Sequence, residues 1–169
     1  MTTKVNLKQL KYVASELQAE LKTGKLGPAH DMVEKWGARY LAFTQKRYLK
    51  MSKGGWAPLA PSTVKKKGKK KSGILINQGH MVKAGLKQGG HGNLFDYIPN
   101  GVRVGYSSDT PHPQAKNGFT YGEIAKANET GAGNLPVRTI FVEPDTKTVN
   151  GMHQDVKTAI AALGKKAQI

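Results

Sequence analysis

The sequence contains no cysteine, which excludes disulfides and thiolate metal sites and fits a reducing compartment. Aromatic residues make up only 7% of it, the mean hydropathy is −0.50, and there are 20 glycines. A modest core with generous loops is expected. No apolar run is long enough to span a bilayer. The opening stretch "MTTKVNLKQLKYVASELQAELK" lacks the continuous apolar centre of a secretory signal, so the protein is expected to be cytosolic when made, without membrane insertion. Negative charge is the scarcest commodity: 11 Asp and Glu stand against 27 Lys and Arg, a formal net charge of +16. From Lys35 to Phe95 there are fourteen basic residues and no acidic one.

The basic excess peaks in "STVKKKGKKKSGILINQGH", where Lys65, Lys66, Lys67, Lys69, Lys70 and Lys71 fall within seven residues. Such a field attracts phosphate, an anionic membrane or an acidic protein surface. The run has no interleaved aromatics to stack on bases and no arginine fork to read them. It is therefore suited to sequence-blind contacts, or simply to a solvated loop.

At 169 residues the chain suits one domain. Its expected parts are a helical portion over 1–53, a basic Gly/Pro/Lys loop over 54–73 and an α+β portion over 74–169. Leu7, Leu10, Val13, Ala14, Leu17 and Leu21 recur at helical spacing, with Asn6 as N-cap and Gly24 as stop. A second helix is expected from Pro28 through "AHDMVEKWGARYLAFTQKRYLKMS", with Val33, Trp36, Tyr40 and Phe43 as its apolar stripe and Gly37 permitting a close contact. The basic loop admits a short helical turn from Ser62, and Met81, Val82 and Leu86 suit another short helix.

The period then changes from 3.6 to 2. "LFDYIPNGVRVGYSS" reads as a hairpin, Leu94–Ile98 and Val102–Tyr106, around Pro-Asn-Gly. "TYGEIAKANETG" reads as a helix with Thr120 and Glu123 forming a capping box and Gly131 ending it, its buried side being Tyr121, Ile124 and Ala125. "NLPVRTIFVEPD" is expected to add one further strand, with Val137 and Phe141 facing the core. A final helix runs from about Asp145 to Leu163, with Lys165 and Lys166 at its negative end. The fold class is α+β: a helical pair, a small antiparallel sheet and packed helices with long loops.

Catalytic constellations are missing, and no catalytic residue, metal ligand or cofactor is expected. His30, His80, His91, His112 and His153 are scattered, with no HExxH and no second ligand at metal spacing. "GHGN" and "GAGN" lack the context of a phosphate loop, and "VGYSSD" lacks the glycine of a nucleophile elbow. Asp96, Glu123, Glu129, Glu143 and Asp145 have no spacing that gathers them, so a metal-dependent nuclease working through Asp96 or Glu123 is the weakest reading.

Three stretches in succession resemble a known family. "GGWAPLAPSTVKKKGKKKSGILINQGHMVKAGL" is similar to a Trp-x-Pro-Leu pattern followed by Thr, lysines, an apolar pair, Gly and a short helix, as in the virion-morphogenesis and tail-completion proteins of tailed bacteriophages. "YGEIAKANETG" resembles that family's helix, and "LPVRTIFVEP" its Pro-x-Arg-x-Phe strand, though Thr139 stands where a second proline is common. The match covers roughly residues 55 to 163.

The resemblance implies a non-enzymatic structural subunit of the neck, in a tail-completion or tail-terminator ring of six or twelve copies joining head connector to tail. Its implied partners are further copies of itself, neighbouring neck and tail-tube or sheath proteins, and genomic DNA in the channel, contacted without base reading. The lysines from Lys65 to Lys71 would then face DNA or a neighbour. Trp56 and Leu59 would anchor the loop to the domain or to an adjoining subunit. Arg138 would pair with a carboxylate on the next protomer, beside Phe141. The alternative from composition alone is a stand-alone nucleic-acid-binding protein using the Lys65–Lys71 run.

Overall fold

A computed structural model of the chain describes residues 7–23, 26–67, 73–75, 79–98, 101–115, 117–133 and 135–166. In chain order the elements are α1 (Leu7–Thr23), α2 (Pro28–Lys50), α3 (Pro61–Lys67), β1 (Asn93–Ile98), β2 (Gly101–Tyr106), α4 (Tyr121–Thr130) and α5 (Thr146–Lys166). Wider helical turns occupy Met51–Gly55 and Met81–Gly85. The class is α+β, with helix predominating and a two-stranded antiparallel sheet among the described residues. No described helix is long and apolar enough to cross a membrane.

The chain forms two compact units: residues 1–39, 96–103 and 145–169 make the first, and 40–95 with 104–144 make the second. The first unit buries Met32, Val33 and Ala159, with Leu17, Leu21, Trp36, Val102 and Val156 packed around them. Its helices are locked by polar contacts as well. Arg39 donates to both carboxylate oxygens of the buried Asp155, at 2.7 and 3.0 Å, the fork geometry that makes Arg–carboxylate pairs strong. Trp36 Nε1 donates to the Met152 carbonyl at 3.1 Å. The buried Glu20 accepts the Ala29 N–H at 2.8 Å, placing a carboxylate against the positive end of α2.

The second unit has the larger core, centred on Leu41, Tyr48, Trp56, Leu86, Tyr106, Tyr121 and Ile140. The capping box on α4 is as expected: Thr120 accepts from Glu123 N–H while Glu123 accepts from Thr120 N–H, and Gly131 closes the helix with φ 70°. Tyr121 and Ala125 are buried and Ile124 packs beside them.

Two expectations about the elements differ from the structure, while the short helix expected from Ser62 is present and begins one residue earlier, at Pro61. The buried residues of α2 are Ala29, Met32, Val33, Gly37, Leu41, Thr44 and Tyr48, so Val33 is buried as expected while Trp36, Tyr40 and Phe43 are half-buried beside them. The segment 135–144 pairs with no strand. Asn6, Gly24 and the Pro99–Asn100 turn lie outside the described residues.

Candidate functional site

The basic stretch begins on α3, where Lys65 is exposed. Lys66 and Lys67 continue the helix, and Lys69, Lys70 and Lys71 lie outside the described residues. What the structure defines in full is the base from which the stretch departs and to which it returns, entirely within the second unit.

The N-terminal foot of this loop is Trp56, 7% exposed and in edge contact with Tyr48 (ring centroids 5.0 Å apart, planes at 87°). Leu59, partly buried, packs against the same core. The C-terminal foot is the pair Ile74 and Leu75. Ile74 N–H donates to the Ser52 carbonyl at 2.7 Å and its side chain is buried. Leu75 adopts φ 59°, a left-handed conformation rare for a bulky residue, and its carbonyl accepts the Tyr48 hydroxyl at 3.0 Å. Tyr48, wholly buried, thus touches both feet. Burial also raises its phenol pKa, with the Arg138 charge a smaller opposing influence, so it remains a hydrogen-bond donor. Gly73 makes the close return possible: at φ 76°, a Cβ there would sit 2.9 Å from the Ser52 carbonyl oxygen.

Arg138 is turned inward. It is 3% exposed and donates to the Ala57 carbonyl at 3.4 Å, next to Trp56, rather than standing at the surface to meet a neighbour's carboxylate. Removal from water lowers its pKa. Its stem fills a core position that the alternation of 135–144 would otherwise have assigned to Val137, which is 60% exposed. Phe141 is partly buried, its ring 5.6 Å from that of Tyr106.

The segment around Arg138 is extended but is bonded by side chains instead of a neighbouring strand. Glu129 accepts the N–H groups of Ile140 and Phe141 at 3.1 and 2.9 Å. Arg47 donates to the carbonyls of Thr139 and Ile140, and the Tyr40 hydroxyl donates to that of Val142. Asn128 contributes its backbone carbonyl to Arg138 N–H at 2.7 Å. These contacts occupy the groups a strand partner would have used. Glu129→Ala is therefore expected to cost about 1–3 kcal/mol for each N–H it orphans, whereas Glu129→Gln, which keeps an acceptor, costs less. Equilibrium urea unfolding checks both.

Sequence reasoning did not single out Tyr48, Glu129 as a clamp, or Arg47. The signal was weak, because each acts through a single atom on a segment well separated in sequence, from 11 residues away for Glu129 to 92 for Arg47. Of the other acids in that set, Asp96 pairs with Arg103 at 2.9 Å and Asp145 accepts from Thr148 N–H.

Two histidine groupings correct the expectation of scattered, unaccompanied rings. In the second unit, the His112 ring lies 5.6 Å from that of His80 and 4.9 Å from that of Tyr121, and its Nδ1 accepts the Gln114 N–H. Burial, and then the charge of His80, lower the His112 pKa. The folded chain therefore binds fewer protons here than the unfolded one. This contribution to stability is complete above about pH 6.5 and is lost as pH falls toward the lower folded value. Thermal melts at pH 7.5 and 5.5 should show an acid-induced drop that is smaller in His112→Gln. In the first unit, His30, Asp31 and Glu34 each bring one potential ligand atom within 4.8 Å of the others. The i and i+4 spacing of His30 and Glu34 was the signal a search for a two-histidine motif passed over.

Compared with models of protein families, with curated proteins and with solved structures, the chain matches none.

Proposed function

We propose that the chain is a structural subunit of a tailed-phage neck, in a tail-completion or tail-terminator ring around the DNA channel. The observation that carries this reading is the closed base of the basic loop. Trp56 and Ile74 are buried on either side of the lysine run, and the Ile74–Ser52 backbone bond joins the two ends. A base of this kind holds the two ends of a concentrated positive charge close together. Fixing a chain segment in one conformation costs about 1–2 kcal/mol per residue for the backbone, and contact with a partner offsets that cost. Repetition about an axis supplies one, since six or twelve copies multiply the positive field on channel DNA or on an adjoining ring.

The succession of Trp-x-Pro-Leu, the Tyr121 to Gly131 helix and Pro136-x-Arg138 supports the same reading. So do the roles of those residues, which are concerned with packing: Trp56 and Arg138 both contribute to the base of the loop. Under this reading the chain is not an enzyme and works in the virion, after assembly in the host cytoplasm. Labelling of assembled particles for electron microscopy tests it. Finding the chain at the head–tail junction supports it, and finding it only in the capsid shell or baseplate removes it.

The net charge of +16 and exposed Lys65 favour the second reading, a stand-alone nucleic-acid-binding protein. Tight duplex binding by the purified monomer would favour that reading; weak, sequence-blind binding before assembly favours the neck.

A further inference from the structure

The first turns of α2 bring together a set of groups that the neck reading does not use. His30 and Glu34 share one face of the helix, and Asp31 stands beside them in its first turn. Their ligand atoms lie within 4.8 Å of one another. That span closes by side-chain rotation onto one ion, whose bonds to imidazole nitrogen and carboxylate oxygen are about 2.0–2.2 Å.

Four further observations bear on the same point. First, His30 Nδ1 is shut off from solvent and has no hydrogen-bond partner, so that atom is not committed to holding the fold. Second, the ring is oriented by stacking on Tyr97, with centroids 4.1 Å apart and planes at 28°. Third, Tyr97 lies near Glu34 as well as His30, and such outer contacts commonly fix the geometry of metal ligands. Fourth, His30 and Tyr97 line a cleft of about 160 Å³ together with Glu20, Lys22, Val33 and Ile98, leaving space beside the His30 ring. The chain has only 11 acidic residues in all, and a helix N-terminus favours Asp31 alone without requiring Glu34 beside it.

We propose that His30, Asp31 and Glu34 bind one divalent first-row transition ion of the Zn²⁺ type. One imidazole and two carboxylates suit Zn²⁺, Mn²⁺ or Fe²⁺ better than a soft thiophilic ion or an ion requiring only oxygen ligands. Three protein ligands leave a further position for water or a small anion.

The test uses the full chain after treatment with EDTA. Isothermal titration with Zn²⁺ should give one equivalent bound, and thermal melts should shift upward with metal. Co²⁺ should produce visible absorption bands that Zn²⁺ displaces. Glu34→Gln and Asp31→Asn should each weaken binding at least about tenfold, and Tyr97→Phe, which keeps the stacked ring, by roughly 10–100-fold. His91→Asn should change nothing. Should His30→Asn fold poorly, the two carboxylate variants carry the test, since each keeps its side-chain shape. Absence of stoichiometric Zn²⁺ binding overturns the proposal. So does binding that survives undiminished in both Glu34→Gln and Asp31→Asn, because the ion would then sit on other histidines.

Discussion

Trp56→Ala is expected to lower the stability of the chain by about 3–5 kcal/mol, the range for removing a large buried ring. The residue is 7% exposed, packs edge-on against Tyr48, and lies one residue from the carbonyl that Arg138 grips. Its loss empties a space bounded by Tyr48, whose own hydroxyl holds Leu75 in a left-handed conformation at the other foot of the loop. Both feet should therefore loosen together. Trp56→Phe is expected to cost much less, because the ring edge is kept and the indole N–H, which has no partner, is removed. Urea unfolding of the three proteins measures the stability ranking. Amide exchange at Ile74, whose N–H bonds to Ser52, reports on the loop base directly. If Trp56 acted only at an interface with another subunit, Trp56→Ala would leave the isolated chain within about 0.5 kcal/mol of the parent.

Replacing Lys65, Lys66, Lys67, Lys69, Lys70 and Lys71 by glutamine is expected to have the opposite signature: little change in the fold and a large change in contact with nucleic acid. Lys65 is exposed, and the core residues at the base of the loop are all retained. Six fewer phosphate contacts per protomer should make the log–log dependence of DNA affinity on salt shallower by roughly five. For the parent in the proposed ring, affinity should fall by about 10³ or more between 50 and 200 mM salt. The isolated chain should bind duplex DNA weakly and without sequence preference. Fluorescence anisotropy across a salt series, on monomer and assembled ring, reads all three quantities. Tight monomer binding that the six substitutions abolish would favour the stand-alone reading, and a ring whose salt slope is unchanged by them would remove DNA as the partner of the loop.

Local chemistry was legible in the sequence, whereas contacts between distant segments were not. The capping box at Thr120 and Glu123, the left-handed Gly131 and the two strands follow from rules acting within a few residues, and they stand where those rules place them. In α2 Val33 is buried as its spacing suggests, but Trp36, Tyr40 and Phe43 are half-buried while Leu41, Thr44 and Tyr48 are buried, a choice made by contacts with distant segments that helical spacing does not reveal. Alternation in "LPVRTIFVEP" was present but its phase was inverted at Val137 and Arg138, since an arginine stem fills a core site while its guanidinium reaches a backbone carbonyl. The same stretch resembles a strand, but Glu129 and Arg47 bond to its backbone in place of a neighbouring strand. At the basic loop, composition revealed the charge, but not that Tyr48 holds both ends. At His30 the sequence showed no second ligand at metal spacing, whereas the structure brings the carboxylates of Asp31 and Glu34 within 4.8 Å.

The most direct measurement is a cryo-electron-microscopy reconstruction of the head–tail junction in particles carrying this chain. The account predicts a ring of six or twelve copies, with the segment from Lys65 to Lys71 against channel DNA or an adjoining subunit. A ring in which those lysines point away from the bore and from every neighbour, or a junction without the chain, would contradict it.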